Sequence, residues 1–176
     1  MSKNRSADEE QINLMGRYMM FAMWIGVLGF FSWFFYNWQE KEFNPNQSVS
    51  SFTSQSGQTE LVLKANKQKQ YIVNGSINNV KVTFLLDTGA NDVSVPAHIA
   101  KKVGLKQGQK VRFETANGIA IGYRTKIDSI KIGEIELHNI NASINPNVRF
   151  DEILLGMSFL KHVEMIQKNN EMTLRY

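Results

Sequence analysis

The chain has 176 residues, no cysteine, three histidines and 20 basic against 16 acidic side chains, for a net charge of +4. Without cysteine there is no disulfide framework, no thiolate metal site and no cysteine nucleophile, and His98, His138 and His162 stand too far apart to form a ligand spacing. No metal and no other cofactor is expected, and nothing beyond the sign of a scattered charge, with no basic run longer than Lys101-Lys102, points to nucleic acid.

Residues 1–17 form a polar N-terminal segment carrying Lys3, Arg5 and Arg17. From Tyr18 to Tyr36 no charge interrupts an apolar, aromatic-rich run. A helix needs about 20 residues to cross the hydrocarbon layer, so 18–37 is predicted to be one transmembrane anchor. Tyr18 at one end, with Trp33, Tyr36 and Trp38 at the other, suits the two interfacial belts. No small-residue cleavage site follows the run, which favours an uncleaved anchor over a signal peptide. The three basic residues before the span outnumber the single Lys41 just after it, placing the N-terminus in the cytoplasm and the remainder outside. Ala22, Gly26 and Gly29 share one helical face on which two such spans could touch.

Residues 38–59 are poor in apolar side chains and rich in Ser, Gln and Asn, a composition expected to form a flexible linker. Beyond it the pattern changes to short alternating strands separated by turn signals. Leu61-Val62-Leu63 opens a domain over 60–176. Asn78-Asn79 turns one hairpin, Asn117-Gly118 a second, the region of Gly133 a third and Asn169-Asn170 a last. A short helix is expected after Pro96, with Ile99, Ala100 and Val103 on one face and Gly104 as its stop. Another is expected from Met157 to His162, after the apolar strand Ile153-Leu154-Leu155-Gly156.

The organising stretch is Phe84-Leu85-Leu86-Asp87-Thr88-Gly89-Ala90. An apolar strand here runs straight into a carboxylate, whose burial is costly unless it is hydrogen-bonded, paired or protonated. Thr88 can donate a hydrogen bond and Gly89 lets backbone approach closely. The only other sequence of this type, Asp128-Ser129-Ile130, lacks the glycine and reads as a turn before Lys131.

The Asp87 loop, the Asn117-Gly118 hairpin and the Ile153–Leu160 element, in that order and spacing, resemble the retropepsin-type aspartic proteases of clan AA. They are similar in particular to the bacterial members anchored by one membrane span. The resemblance covers about Tyr71 to Tyr176 together with the N-terminal anchor. It implies a mainly β fold, a retropepsin-like closed β-barrel forming one lobe of an aspartic protease, with one or two short helices. It implies that Asp87 is the catalytic carboxylate of an endopeptidase and that Thr88, Gly89 and Ala90 complete its loop. Asn91 and Asp92 would line the substrate backbone, and Ala116, Asn117, Gly118 and Ile119 would belong to a flap closing over a peptide. Because one chain supplies one such acid, two copies of Asp87 must meet in a homodimer. The bacterial relatives imply an inner-membrane protein with its protease domain in the periplasm.

Two departures from the viral pattern stand out: Asn91 replaces an Asp, and Met157 follows Gly156 where the viral enzymes have Arg. The ion pairs that steady viral dimers are therefore not reproduced. Leu86, Val95, Ile119 and Ile121 are candidates for apolar substrate pockets. The alternative is a catalytically silent peptide-binding or scaffold module on the same fold, although an idle buried acid is a liability to stability.

Overall fold

The computed structural model describes residues 3–53, 57–115 and 118–176, with side chains from residue 15 onward except at 53, 113–118 and 120. The chain divides into two compact units, Met1–Lys41 and Glu42–Tyr176. In the first, a single helix α1 (Lys3–Phe43) of 41 residues contains the whole of the expected 18–37 segment and extends past both its ends. At ~1.5 Å per residue it is roughly 60 Å long. Its segment Met15–Phe43 is long and apolar enough to cross a membrane. Its large apolar side chains are exposed, and Phe30 stacks on Phe34 and Phe31 on Phe35 one turn apart.

The second unit begins with two strands, β1 (Ser51–Thr53) and β2 (Thr59–Lys64), followed by β3 (Ile72–Ile77) and β4 (Val80–Leu86). Next come β5 (Val93–Pro96), the short helix α2 (Ala97–Lys102), β6 (Lys110–Thr115) and β7 (Gly118–Ile132). The chain ends with β8 (Ile135–Asn145), β9 (Ile153–Leu155), a four-residue helix α3 (Met157–Leu160), β10 (Glu164–Lys168) and β11 (Glu171–Arg175). Two of the turns use paired asparagines at positive φ, Asn78 and Asn79 (48° and 65°) and Asn169 and Asn170 (50° and 62°). That is the backbone a two-residue hairpin needs to match the twist of its strands, and asparagine tolerates it better than other non-glycine residues.

Six strands close on themselves in the order β3-β4-β9-β5-β8-β7, with Ser76↔Lys131 and Ile77↔Ile130 returning β7 to β3. This is the closed barrel; β6 hangs on β7 outside the ring. Its interior is filled by Phe84, Val93, Ile127, Ile130, Ile132, Ile144, Ile153 and Leu155, with Phe159 of α3 beside them, all fully buried or within 1% of it. Each such side chain contributes about 1.5–3 kcal/mol through removal from water. Val95 belongs to this core at 0% exposure, so it lines no pocket, contrary to the sequence expectation. β5 pairs on both its edges, with β8 and β9, and its Val93 and Val95 alternate inward.

The remaining strands form a second, open sheet in the order β1-β2-β11-β10. It is joined to the barrel by residues that composition assigned to a flexible linker. That reading of 38–59 needs correction: helix α1 runs through Phe43, Asn44 and Asn46 are buried, and β1 lies at 51–53. Asn46 explains why. Its Nδ2 donates to Lys64 O at 2.9 Å and Ile72 O at 2.7 Å, while its Oδ1 accepts from Lys64 N at 2.7 Å. One amide thus ties β2 of the open sheet to β3 of the barrel. Asn44 Oδ1 accepts from Asn46 N, and Asn44 Nδ2 donates to Asn74 Oδ1. Amide side chains that copy backbone pairing let a polar segment be buried without loss.

Candidate active site

β4 and β9 run parallel, Phe84↔Ile153 through Leu86↔Leu155, and β5 lies on the other side of β9 with Ser94↔Leu154. A chain leaving β4 for β5 must therefore cross the end of β9, and residues 87–92 make that crossing. Asp87 N continues the ladder by donating to Leu155 O at 3.2 Å. The chain then turns tightly: Ala90 N donates to Asp87 O at 3.2 Å, and Gly89 N donates to Asp87 Oδ1 at 2.9 Å. The half-buried carboxylate is thus aimed by its own loop. Its second oxygen has no partner among the described residues.

The exit of the loop is held from α3. Met157 N donates to Ala90 O and Ser158 N to Asn91 O, each at 2.8 Å. Ser158 Oγ donates to Asn141 O on β8 at 2.7 Å and accepts from Val93 N at 3.0 Å. At Gly156 a β-carbon would collide with Asp92 O and lie 2.7 Å from Ala90 O, so only glycine lets the two backbones cross. Sequence reasoning assigned Ser158 no part in this brace. A serine in the first turn after an apolar strand and a glycine was the available signal.

Asp87, Thr88, Gly89, Ala90, Asn91 and Asp92 therefore form one contiguous loop. Thr88, Gly89 and Asn91 are exposed, and Asp92 is half-buried. The Thr88 hydroxyl has no partner among the described residues. Gly118 begins β7 opposite Thr115, and Ile119 beside it is 71% exposed. Ala116 and Asn117 lie outside the described residues. No hydrogen bond among the described residues joins the β6–β7 hairpin to the Asp87 loop. Asp128 sits inside β7, not in a turn, next to a break in the ladder opposite Asn139 at φ 59°. Asp128 and Asn139 are the one residue left unpaired on each strand there, and the register is the same on either side.

A strand ending in an oriented acid, crossed over a second strand that ends in glycine, is recognised from sequence as well. The family described as "gag-polyprotein putative aspartyl protease" matches residues 73–162, a little over half of the chain. The chain belongs to the retropepsin-like aspartic protease family. A crystal structure of a retropepsin-like aspartic protease from Rickettsia conorii superimposes with a TM-score of 0.57 at 27% identity, covering 73% of this chain and 96% of that one. An uncharacterized protein in the cobV 5′ region of Sinorhizobium is 33% identical over 127 residues, 70% of this chain and 54% of its own length. An uncharacterized protein of Rickettsia prowazekii is 31% identical over 105 residues, 58% of this chain and 45% of its own length. The chain thus spans about half the length of the curated relatives it matches. The expected fold, a mainly β retropepsin-like barrel with short helices after an apolar N-terminal helix, is the observed one.

Proposed function

We propose that this protein is a membrane-anchored aspartic endopeptidase, active as a homodimer in which two Asp87 carboxylates face one another. The observation that carries the proposal is the Asp87 loop: an acid held by Gly89 N at 2.9 Å, with no partner for its other oxygen among the described residues, inside the stretch 73–162 that matches the family. Each chain brings one such loop, so the site is complete only with a second copy. Two carboxylates a few ångströms apart cannot both ionise, and the pair shares a proton. The ionised member takes a proton from water, the resulting hydroxide adds to the scissile carbonyl carbon, and the protonated member gives its proton to the carbonyl oxygen. Collapse of that tetrahedral species expels the amine, which leaves with a proton returned by the dyad.

In this reading Thr88, Gly89 and Ala90 shape the loop, and Asn91 and Asp92 border the substrate. Gly118 and Ile119 belong to a flap that lays strand-like hydrogen bonds along an extended peptide. The exposed Ile119 and Ile121, with the half-buried Leu86, supply apolar surface for peptide side chains. Helix α1 anchors the chain in the inner membrane with its N-terminus cytoplasmic and residues 60–176 periplasmic, and tethering raises the effective concentration of one copy near another. The test is Asp87→Asn in the full chain, assayed on a peptide library. Cleavage should fall at least about a hundredfold with the thermal melt unchanged. Undiminished cleavage would remove Asp87 from the chemistry.

A further inference from the structure

We propose that the protein selects peptides with acidic side chains beside the bond it cuts, through a basic surface built by α2, β6 and β7 on which Lys110 and Arg112 meet those acids. This deepens the endopeptidase reading above and rests on it. Segment 97–127 carries seven lysines and arginines and a single acid, Glu114, for a net of +6, whereas the whole chain reaches only +4. The rest of the chain is therefore net negative. Along the sequence these basic residues stand in ones and twos, and the fold brings them onto one part of the domain.

α2 ends in Lys101 and Lys102, and Gly104, at φ 76°, turns the chain back toward β7. Lys106 O then accepts from the Thr125 hydroxyl at 2.8 Å. Gly108 N donates to Arg124 O at 2.8 Å, and Arg124 N donates to Gln109 O at 2.9 Å. This docking sets Lys106 beside the part of β7 that carries Arg124 and Lys126. β6 follows, with Lys110 opposite Tyr123 and Arg112 opposite Ile121. All seven basic residues are exposed, and none has an ion-pair partner among the described residues. Asp151, which reaches α2, is engaged by His98 at 2.7 Å. Uncompensated like charges repel one another, and an acidic partner relieves that repulsion.

The apolar residues beside these charges say what kind of partner fits. Residues directly opposite in an antiparallel pair share a face, with β-carbons about 4.5–5.5 Å apart, and every second residue along each strand joins them. Lys110 and Arg112 therefore stand on the same face of the β6–β7 hairpin as Ile119 and Ile121, which are 71% and 38% exposed. A peptide that lays apolar side chains on those isoleucines brings its neighbouring residues within reach of two positive charges. An extended peptide repeats its side chains at the spacing of the hairpin's own, so one chain can meet both kinds of surface. Arg112 can hold a carboxylate with two parallel N–H donors, while the lysines supply a longer-range field that raises the local concentration of an acidic chain.

The test uses full-length protein in phosphatidylcholine nanodiscs and one cleavable core from the peptide library, flanked by a run of Glu, of Gln or of Lys. The Glu peptide should be cleaved with a kcat/KM about tenfold above the Gln peptide, the gain lying in KM, and the Lys peptide should be the poorest. The advantage should fade as salt rises from about 50 mM to about 500 mM. Lys110→Glu combined with Arg112→Glu should reverse the order of the Glu and Lys peptides. Lys64→Glu combined with Lys168→Glu, the same change of charge on the open sheet, should leave the order as it was. Asp87-dependent cleavage at equal kcat/KM on the three peptides overturns the acidic preference and leaves the endopeptidase standing. Equal rates together with protection of β6 from hydrogen exchange in phosphatidylglycerol nanodiscs, but not in phosphatidylcholine ones, assign the surface to lipid headgroups instead. A preference that both pairs of substitutions remove equally belongs to net charge and overturns Lys110 and Arg112 as its readers. Cleavage that survives Asp87→Asn, or is absent on every peptide, overturns the protease reading and this proposal with it.

Discussion

In the barrel, β4, β8 and β9 send Phe84, Ile144, Ile153 and Leu155 into a core with essentially no exposure. The open sheet instead sets Glu60, Arg175 and Glu164 side by side across three strands, with Glu60 16% and Glu164 58% exposed. Closure makes the difference. A ring of six strands has no edge to protect, so its stability comes from interior packing, and its most constrained point is where chains cross, at Gly156 and the Asp87 loop. An open sheet keeps its charges near water, where ion pairs add little stability but discriminate between partners. The barrel carries the acid, and the open sheet carries the charged row.

The sharpest way to break this contrast is at the crossing. Gly156→Ala inserts a carbon against Asp92 O and Ala90 O, and should cost about 3 kcal/mol or more, as overpacking against immobile backbone does. It should abolish cleavage in any protein that still folds; an unchanged melting temperature would show the crossing to be looser than described. The next effect lies between the two sheets. Asn46→Ala leaves Lys64 N, Lys64 O and Ile72 O without partners and should destabilise the domain by about 2–3 kcal/mol. Hydrogen exchange should then show β1 and β2 opening ahead of the barrel; uniform loss of protection would mean that the sheets unfold as one.

The smallest effect belongs to the open sheet. Arg175 is held above its ordinary pKa, first by its hydrogen bond to Glu60, then by that carboxylate's charge, with Glu164 adding to both. A raised base contributes its full stabilisation below its ordinary pKa and loses it only in strongly alkaline solution. The difference in melting temperature between wild type and Arg175→Gln should therefore be small and flat from about pH 6 to 9. It should shrink as salt rises toward about 1 M. A difference that varied through neutral pH would point to another titrating group in the row.

Much of the fold could be read in advance because its signals are local. The asparagine pairs at 78–79 and 169–170 mark hairpins whatever lies around them, since few other residues accept positive φ twice in succession. An uninterrupted apolar run makes α1, and a strand that ends in Asp-Thr-Gly marks the loop. The linker was misread for a related reason. Composition reports what a segment would do alone in water, and Asn44 and Asn46 are not alone: their amides pair with strands about twenty to thirty residues away in the chain. Val95 reads as a pocket candidate from the sequence, and only the closing of β5 into the barrel puts it in the core.

By itself, then, the sequence determined where the chain turns, which stretches are strands or helix and which acid ends the central strand, because each depends on residues within a few positions of one another. Tertiary structure alone decided that Ser158 braces the acid's loop, that Asn46 joins the two sheets, and that the charges of β2, β11 and β10 alternate in rows. Those facts depend on register between strands as distant as Glu60 and Arg175. Register is set by the summed packing of the whole core, which no local preference encodes.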